Sequence, residues 1–208
     1  MRLTLDQDLH LLYRDIIKMG TLIEKAIDDT ITALVEQDAG LAKKVCEGDD
    51  VFDNMAKEIE DRCISIIARR QPVATDLRKI FSVVKIVTDL ERIADHCEDI
   101  SNYTLNLTNK KYVKPLIDLP KMSKEVKKMV RMTIDCYIEQ DVEKAKKVCQ
   151  HDDIVDDYFE TIFLDLQEVM KEKPKEIKQG MDFLMIAKYF ERMADHATNI
   201  AEWVVYGM

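Results

Sequence analysis

Apolar residues recur at helical spacing along almost the whole chain. Leu9, Leu12, Ile16, Met19, Ile23, Ile27, Ile31 and Leu34 follow one another every three or four positions, the period of one helix face. This predicts a first helix from about Asp8 to Gln37. Asp38 can cap a second helix, because its carboxylate accepts from the free N–H groups of a new first turn. That helix should run to Arg69–Arg70–Gln71–Pro72, since proline disfavours helical geometry in the residue before it. Thr75 is the expected N-cap of a third helix, which passes through Leu77, Phe81 and Val84 to about Leu107. Residues 108–122 hold Pro115 and Pro120 and show no helical period, as a linker would. The pattern then returns: Ser123 is expected to start a fourth helix and Asp141 a fifth, and Lys173–Pro174 breaks before a sixth. The expected fold is all-α, with two tandem, pseudo-symmetric three-helix bundles at residues 1–107 and 123–208. Helices of roughly 30 residues span about 45 Å. Caps and prolines at regular intervals favour antiparallel bundles over one long coiled coil.

The two halves are also alike in sequence. DAGLAKKVCEGDDVFDN (38–54) matches DVEKAKKVCQHDDIVDD (141–157) at an offset of 103 residues, and ERIADHCEDI (91–100) matches ERMADHATNI (191–200) at an offset of 100. A duplicated unit of this size behaves as a structural module.

Composition agrees and narrows the function. With 5 glycines and 4 prolines in 208 residues, the chain has too few turn formers for linked strands. A net charge of −9 argues against non-specific nucleic-acid binding, which needs a basic surface. No apolar run approaches the roughly 18 residues of a membrane helix. Asp6 and Asp8 stand where a signal peptide would be apolar. The expectation is a cytoplasmic protein. Five cysteines without CxxC spacing suit a reducing compartment and small core side chains, not a zinc site. One local exception is basic: Lys110, Lys111, Lys114, Lys121, Lys124, Lys127, Lys128 and Arg131. It is either a solvated face or a contact for an acidic partner or anionic lipid.

The candidate chemistry lies where charge interrupts apolar columns. Glu91 follows Leu77 and Val84 at heptad spacing, and Glu191 follows Ile177 and Leu184. Asp95 and Asp195 lie one turn further on the same faces. Asp49 shares a column with Ala42, Ala56 and Cys63, and Asp152 with Ala145, Phe159 and Leu166. Asp53 and Asp156 follow one turn later. Each half thus offers two carboxylate pairs: Asp49/Asp53 with Glu91/Asp95, and Asp152/Asp156 with Glu191/Asp195. Four carboxylates cannot share a poorly solvated site uncompensated. Ion pairs to Arg92 and Arg192 would serve, as would bound metal or a groove open to water. An all-oxygen set suits hard ions such as Mg²⁺, Mn²⁺, Ca²⁺ or Fe³⁺. His96 and His196 lie about 100° around the helix from the aspartates before them, which places them beside the ligands or at the surface. Asp99 could extend the first site; its counterpart is Asn199.

QPVATDLRKIFSVVKIVTDLERIADHCEDI (71–100), preceded by DDVFD (49–53) and followed by a degenerate second copy, closely resembles the PhoU family of phosphate-uptake regulators. The resemblance covers nearly the whole chain. It implies two symmetric three-helix bundles with multinuclear metal clusters, iron above all, with zinc or nickel also possible. The implied ligands are Asp49, Asp53, Glu91 and Asp95, then Asp152, Asp156, Glu191 and Asp195. It further implies a non-enzymatic negative regulator, peripheral to the membrane and open to homodimer formation. Such a protein links the ATPase subunit of a phosphate ABC transporter to a phosphate-responsive histidine kinase. Where the family motif reads QPVATDLR in the first half, the second half has EKPKEIKQG (172–180).

Two other readings compete. Di-iron oxygen chemistry in a bundle uses histidine three residues after glutamate, whereas His96 follows Glu91 by five. A structural adaptor that never holds metal and serves another transporter is the other.

Overall fold

The computed structural model describes residues 2–208. It contains helices and no strand among those residues: α1 (Arg2–Glu36), α2 (Ala39–Glu47), α3 (Asp49–Arg70), α4 (Thr75–Leu107), α5 (Asp118–Glu139), α6 (Val142–Glu172) and α7 (Ile177–Gly207). α2 and α3 are one rod turned at Gly48, so each half contributes three helical rods. The apolar column read from the sequence is the core face of α1: Leu12, Ile16, Met19, Ile23 and Leu34 are fully buried. Asp38 caps α2 by accepting from the Leu41 N–H at 2.9 Å, and Asp141 caps α6 by accepting from Glu143 and Lys144.

Three boundaries differ from the expectation. The rod after Asp38 is interrupted, because Gly48 donates to the Val45 carbonyl three residues back and accepts from Val51 three residues on. A Cβ at position 48 would stand 3.2 Å from the Lys44 carbonyl oxygen, so the tightened turn suits a glycine; its counterpart His151 sits in the unbroken α6. Thr75 is the first helical residue, and Ala74 takes the cap position with φ 47 and ψ −113. The fourth rod starts at Asp118, five residues before Ser123. Pro120 sits in its first turn, where the missing N–H has no partner to lose, and buried Leu119 and Met122 hold the turn down. The non-helical connection therefore ends at Ile117.

The halves pack as duplicates should. Within each half every rod touches the other two, and between halves the contacts run α4 to α7 and α1 to α5. Each of these pairs joins a helix to its own sequence counterpart, as a pseudo-twofold axis requires. The α4–α7 seam is the most extensive helix contact in the molecule. The connection is strapped to both halves. Tyr112 Oη donates to the Leu34 carbonyl at 2.6 Å, and Gln179 accepts from the Val113 N–H at 2.6 Å. Much of the basic stretch is neutralised internally: Lys114 pairs with Asp165, Lys121 with Asp118, Lys127 with Asp28 and Lys128 with Glu125.

Candidate metal centre

The first-half carboxylates meet between the start of α3 and the middle of α4. Asp49 opens α3, where the unpaired N–H groups of a helix N-terminus favour negative charge. Asp53 follows one turn later, and Asp95 approaches from α4. Each offers an oxygen, and the three oxygens lie within 4.8 Å of one another. Glu91, one turn before Asp95, belongs to the same group: Asp95, Asp53 and Glu60 all raise its pKa, after burial. Asp49 is pushed up to about 7, first by burial and then by Asp95, Glu98, Asp53 and Glu91. Glu98, three residues past Asp95, was not singled out from the sequence. Its i+3 spacing on the same face was the available signal.

One cation answers these charges. Arg92 Nη1 donates to Asp95 Oδ2 at 2.9 Å, and its Nε lies 3.5 Å from Glu91 Oε2. This is one of the ion pairs considered from sequence. It is incomplete: Asp49 Oδ1 and Glu91 Oε2 are buried without a hydrogen-bond partner. Asp49 makes no ion pair among the described residues. An all-carboxylate donor set with orphaned buried oxygens fits a hard cation, which would supply the charge that Arg92 does not.

The second-half residues are placed equivalently, with Asp152 and Asp156 inside α6 and Glu191 and Asp195 on α7. Burial, then Asp156, Asp195 and Glu191, push Asp152 up to about 6. Burial also raises Asp156, with Glu191 and Asp153 adding to it and Lys188 opposing. Three converging oxygens are found only at the first cluster among the described residues. Lys188, also not singled out from sequence, supplies the cation here, bonding Glu191 Oε1 at 2.6 Å. Arg192 forms no such ion pair among the described residues.

The histidines face elsewhere. His96 is buried and lies at 3.2 Å from Asp99 through Nδ1, so the Asp99 carboxylate is engaged at the seam and does not join the cluster. His196 Nδ1 lies 2.8 Å from Asp89 across the same seam. No helix is long and apolar enough to cross a membrane among the described residues.

The chain matches the PhoU domain twice, over residues 16–104 and 119–204, so each half carries one copy. It is 40% identical to the phosphate-specific transport system accessory protein PhoU homolog of Clostridium acetobutylicum, over 97% of this chain and 92% of that one. The crystal structure of PhoU from Pseudomonas aeruginosa superposes with a TM-score of 0.92 at 34% identity, covering 97% of both chains. The phosphate transport system regulatory protein PhoU from Streptococcus pneumoniae gives 0.91 at 27% identity, over 98% of this chain and 96% of that one. Matched by two domain copies, by sequence over nearly its full length and by fold, this chain belongs to the PhoU domain family.

Proposed function

We propose that this chain is an accessory regulator of a phosphate transport system, not an enzyme. It acts in the cytoplasm, at the membrane's inner face, between the transporter's ATPase subunit and a phosphate-responsive histidine kinase. There it holds uptake and kinase signalling low when phosphate is plentiful. The observation that supports this most is the end-to-end match to proteins named as phosphate transport accessory and regulatory proteins. The test is co-purification of the tagged protein with the ATPase and the kinase from cells grown with and without phosphate. Both partners should be recovered in phosphate-replete cells. Recovery of neither, with kinase output unchanged on deletion of the gene, would overturn the reading.

We propose further that metal belongs to this function. Asp49, Asp53, Glu91 and Asp95 would hold it, with Asp152, Asp156, Glu191 and Asp195 as the second candidate set. Bound metal would neutralise the carboxylates and lock α3 to α4. The orphaned oxygens of Asp49 and Glu91 support this, while Arg92's ion pairs favour the metal-free adaptor. Elemental analysis after iron loading separates the two. The Glu91→Ala/Asp95→Ala variant should lose the metal of the first set alone, and equal content in wild type and variant would sink the metal reading.

A further inference from the structure

We propose that the two carboxylate clusters are inequivalent, and that in the second the ammonium of Lys188 stands in for a bound cation. This rests on the metal reading above.

The duplication makes each half a control for the other. Aligning Glu91 with Glu191 sets Thr88 opposite Lys188, and aligning Asp49 with Asp152 sets Ala56 opposite Phe159. Both differences serve one side chain. Lys188 Nζ donates to Glu191 Oε1 at 2.6 Å and lies 2.5 Å from Oε2; that second oxygen, like Glu91 Oε2, is buried without a well-formed hydrogen bond, but here an ammonium sits against it. It also lies 5.4 Å from the centre of the Phe159 ring, so the ammonium reaches from α7 to an aromatic face on α6. The Glu191 carboxylate and the aromatic ring together hold the cation beside the second cluster.

The first half has neither anchor. The Thr88 hydroxyl turns back and donates to the Val84 carbonyl of its own helix at 3.0 Å. Beside the first cluster a pocket of about 240 Å³ opens to solvent, lined by Asp53, Ala56, Glu60, Thr88 and Glu91 together with Lys57 and Arg92, neither of which bridges into it from the position of Lys188. Arg92 is not the equivalent of Lys188. It reaches Glu91 and Asp95 from the rim, with its side chain 56% exposed. The first cluster therefore has space and unspent negative charge, whereas at the second an incoming ion must first displace an ammonium already bonded to Glu191. Lys188 is itself partly exposed and can swing out. Displacement costs the ion pair and sets two cations near each other. The first cluster should fill first, and the second only at higher metal concentration.

The experiment is a Mn²⁺ titration by calorimetry, with elemental analysis at saturation, on the full chain and its variants. Helicity is checked by circular dichroism. Wild type should show two classes of site whose affinities differ by about tenfold or more. Asp49→Ala/Asp53→Ala should remove the tight class, and Asp152→Ala/Asp156→Ala the weak one. Lys188→Thr should tighten the weak class about tenfold, and Thr88→Lys should weaken the tight one. Lys188→Gln retains reach without charge, and should act like Lys188→Thr if charge is the cause. Two equal classes, or a weak class unmoved by both Lys188 variants, would overturn the inference and leave the metal reading standing. No Mn²⁺ uptake by wild type would overturn both.

Discussion

His96 and His196 are the same position in two copies of one sequence unit, and their ring centroids lie 5.6 Å apart across the α4–α7 seam. Their surroundings carry the same correspondence: His196 meets Asp89, and His96 meets Tyr189, the counterpart of Asp89, at 5.2 Å between ring centroids. The pseudo-twofold axis passes between the two imidazoles.

This placement predicts an acid-sensitive seam in the metal-free protein. Burial lowers the His96 pKa, and the charges of His196 and Arg192 act the same way, while the hydrogen bond and charge of Asp99 oppose them. A histidine whose folded pKa is depressed contributes stability that is full above its unfolded value. That stability is lost as pH falls through the folded value. Thermal unfolding in chelator should therefore show a loss of stability from pH 7 to pH 5 that is smaller in His96→Gln than in wild type. Parallel pH profiles for the two proteins would show that His96 does not carry the effect.

Periodicity made the rods legible because each buries one continuous stripe, from Leu12 to Leu34 in α1 for example. The carboxylates were legible for the complementary reason: Glu91 and Asp49 interrupt such stripes, and burial raises the pKa of both. Local pattern fails where a residue has two meanings. Pro120 reads as a linker proline, yet a proline in a first turn looks the same in sequence. The role of Lys188 could be read only in part: its i,i+3 spacing to Glu191 allows the ion pair, but nothing local points to the ring that holds it. A lysine at the position of Thr88 gains meaning only when α6 brings Phe159 beside it. The His96–His196 contact likewise joins residues that only the packing of two halves brings together.

The hairpin between α3 and α4 stores backbone strain. Gln71 and Ala74 both have positive φ, 48 and 47, and Val73 between them is 74% exposed. An alanine in that region costs roughly 1 kcal/mol that glycine does not. Ala74→Gly should therefore leave stability unchanged or raise it by up to about 1 kcal/mol, once the added unfolded-state entropy is offset. Urea unfolding measures this; a loss above about 1 kcal/mol would mean that the alanine methyl makes an unrecognised contact.

Asp49 gives a second pH-dependent expectation, of opposite sign. Its folded pKa, about 7, stands above the usual carboxylate value. Its contribution is fully present below the unfolded pKa and is lost as pH rises through about 7. In chelator, Asp49→Asn should stabilise the protein at pH 8 by about 1 kcal/mol, a figure discounted because the carboxylate is partly solvated. It should gain little at pH 5. Saturating metal should reverse the order, because the aspartate is then a ligand and the asparagine a poorer one. An Asp49→Asn protein no more stable than wild type at pH 8 would mean that the cluster's charges are already balanced by Arg92.

The second contact between the halves, α1 against α5, depends on a glycine. A Cβ built on Gly20 would stand 2.7 Å from Cγ1 and Cδ1 of Ile134, closer than real side-chain atoms approach. Ile134 is 7% exposed, so it has little room to retreat. Gly20→Val should overpack this contact and cost about 1–3 kcal/mol. Ile134→Ala alone should cost about 2–4 kcal/mol through the cavity it leaves. Combined, each change fills or relieves what the other creates, so the double variant should lose less than the sum, with a coupling of about 1 kcal/mol or more. Urea unfolding of all four proteins gives that coupling. Simple additivity would show that α1 and α5 slide apart instead of meeting at these two residues.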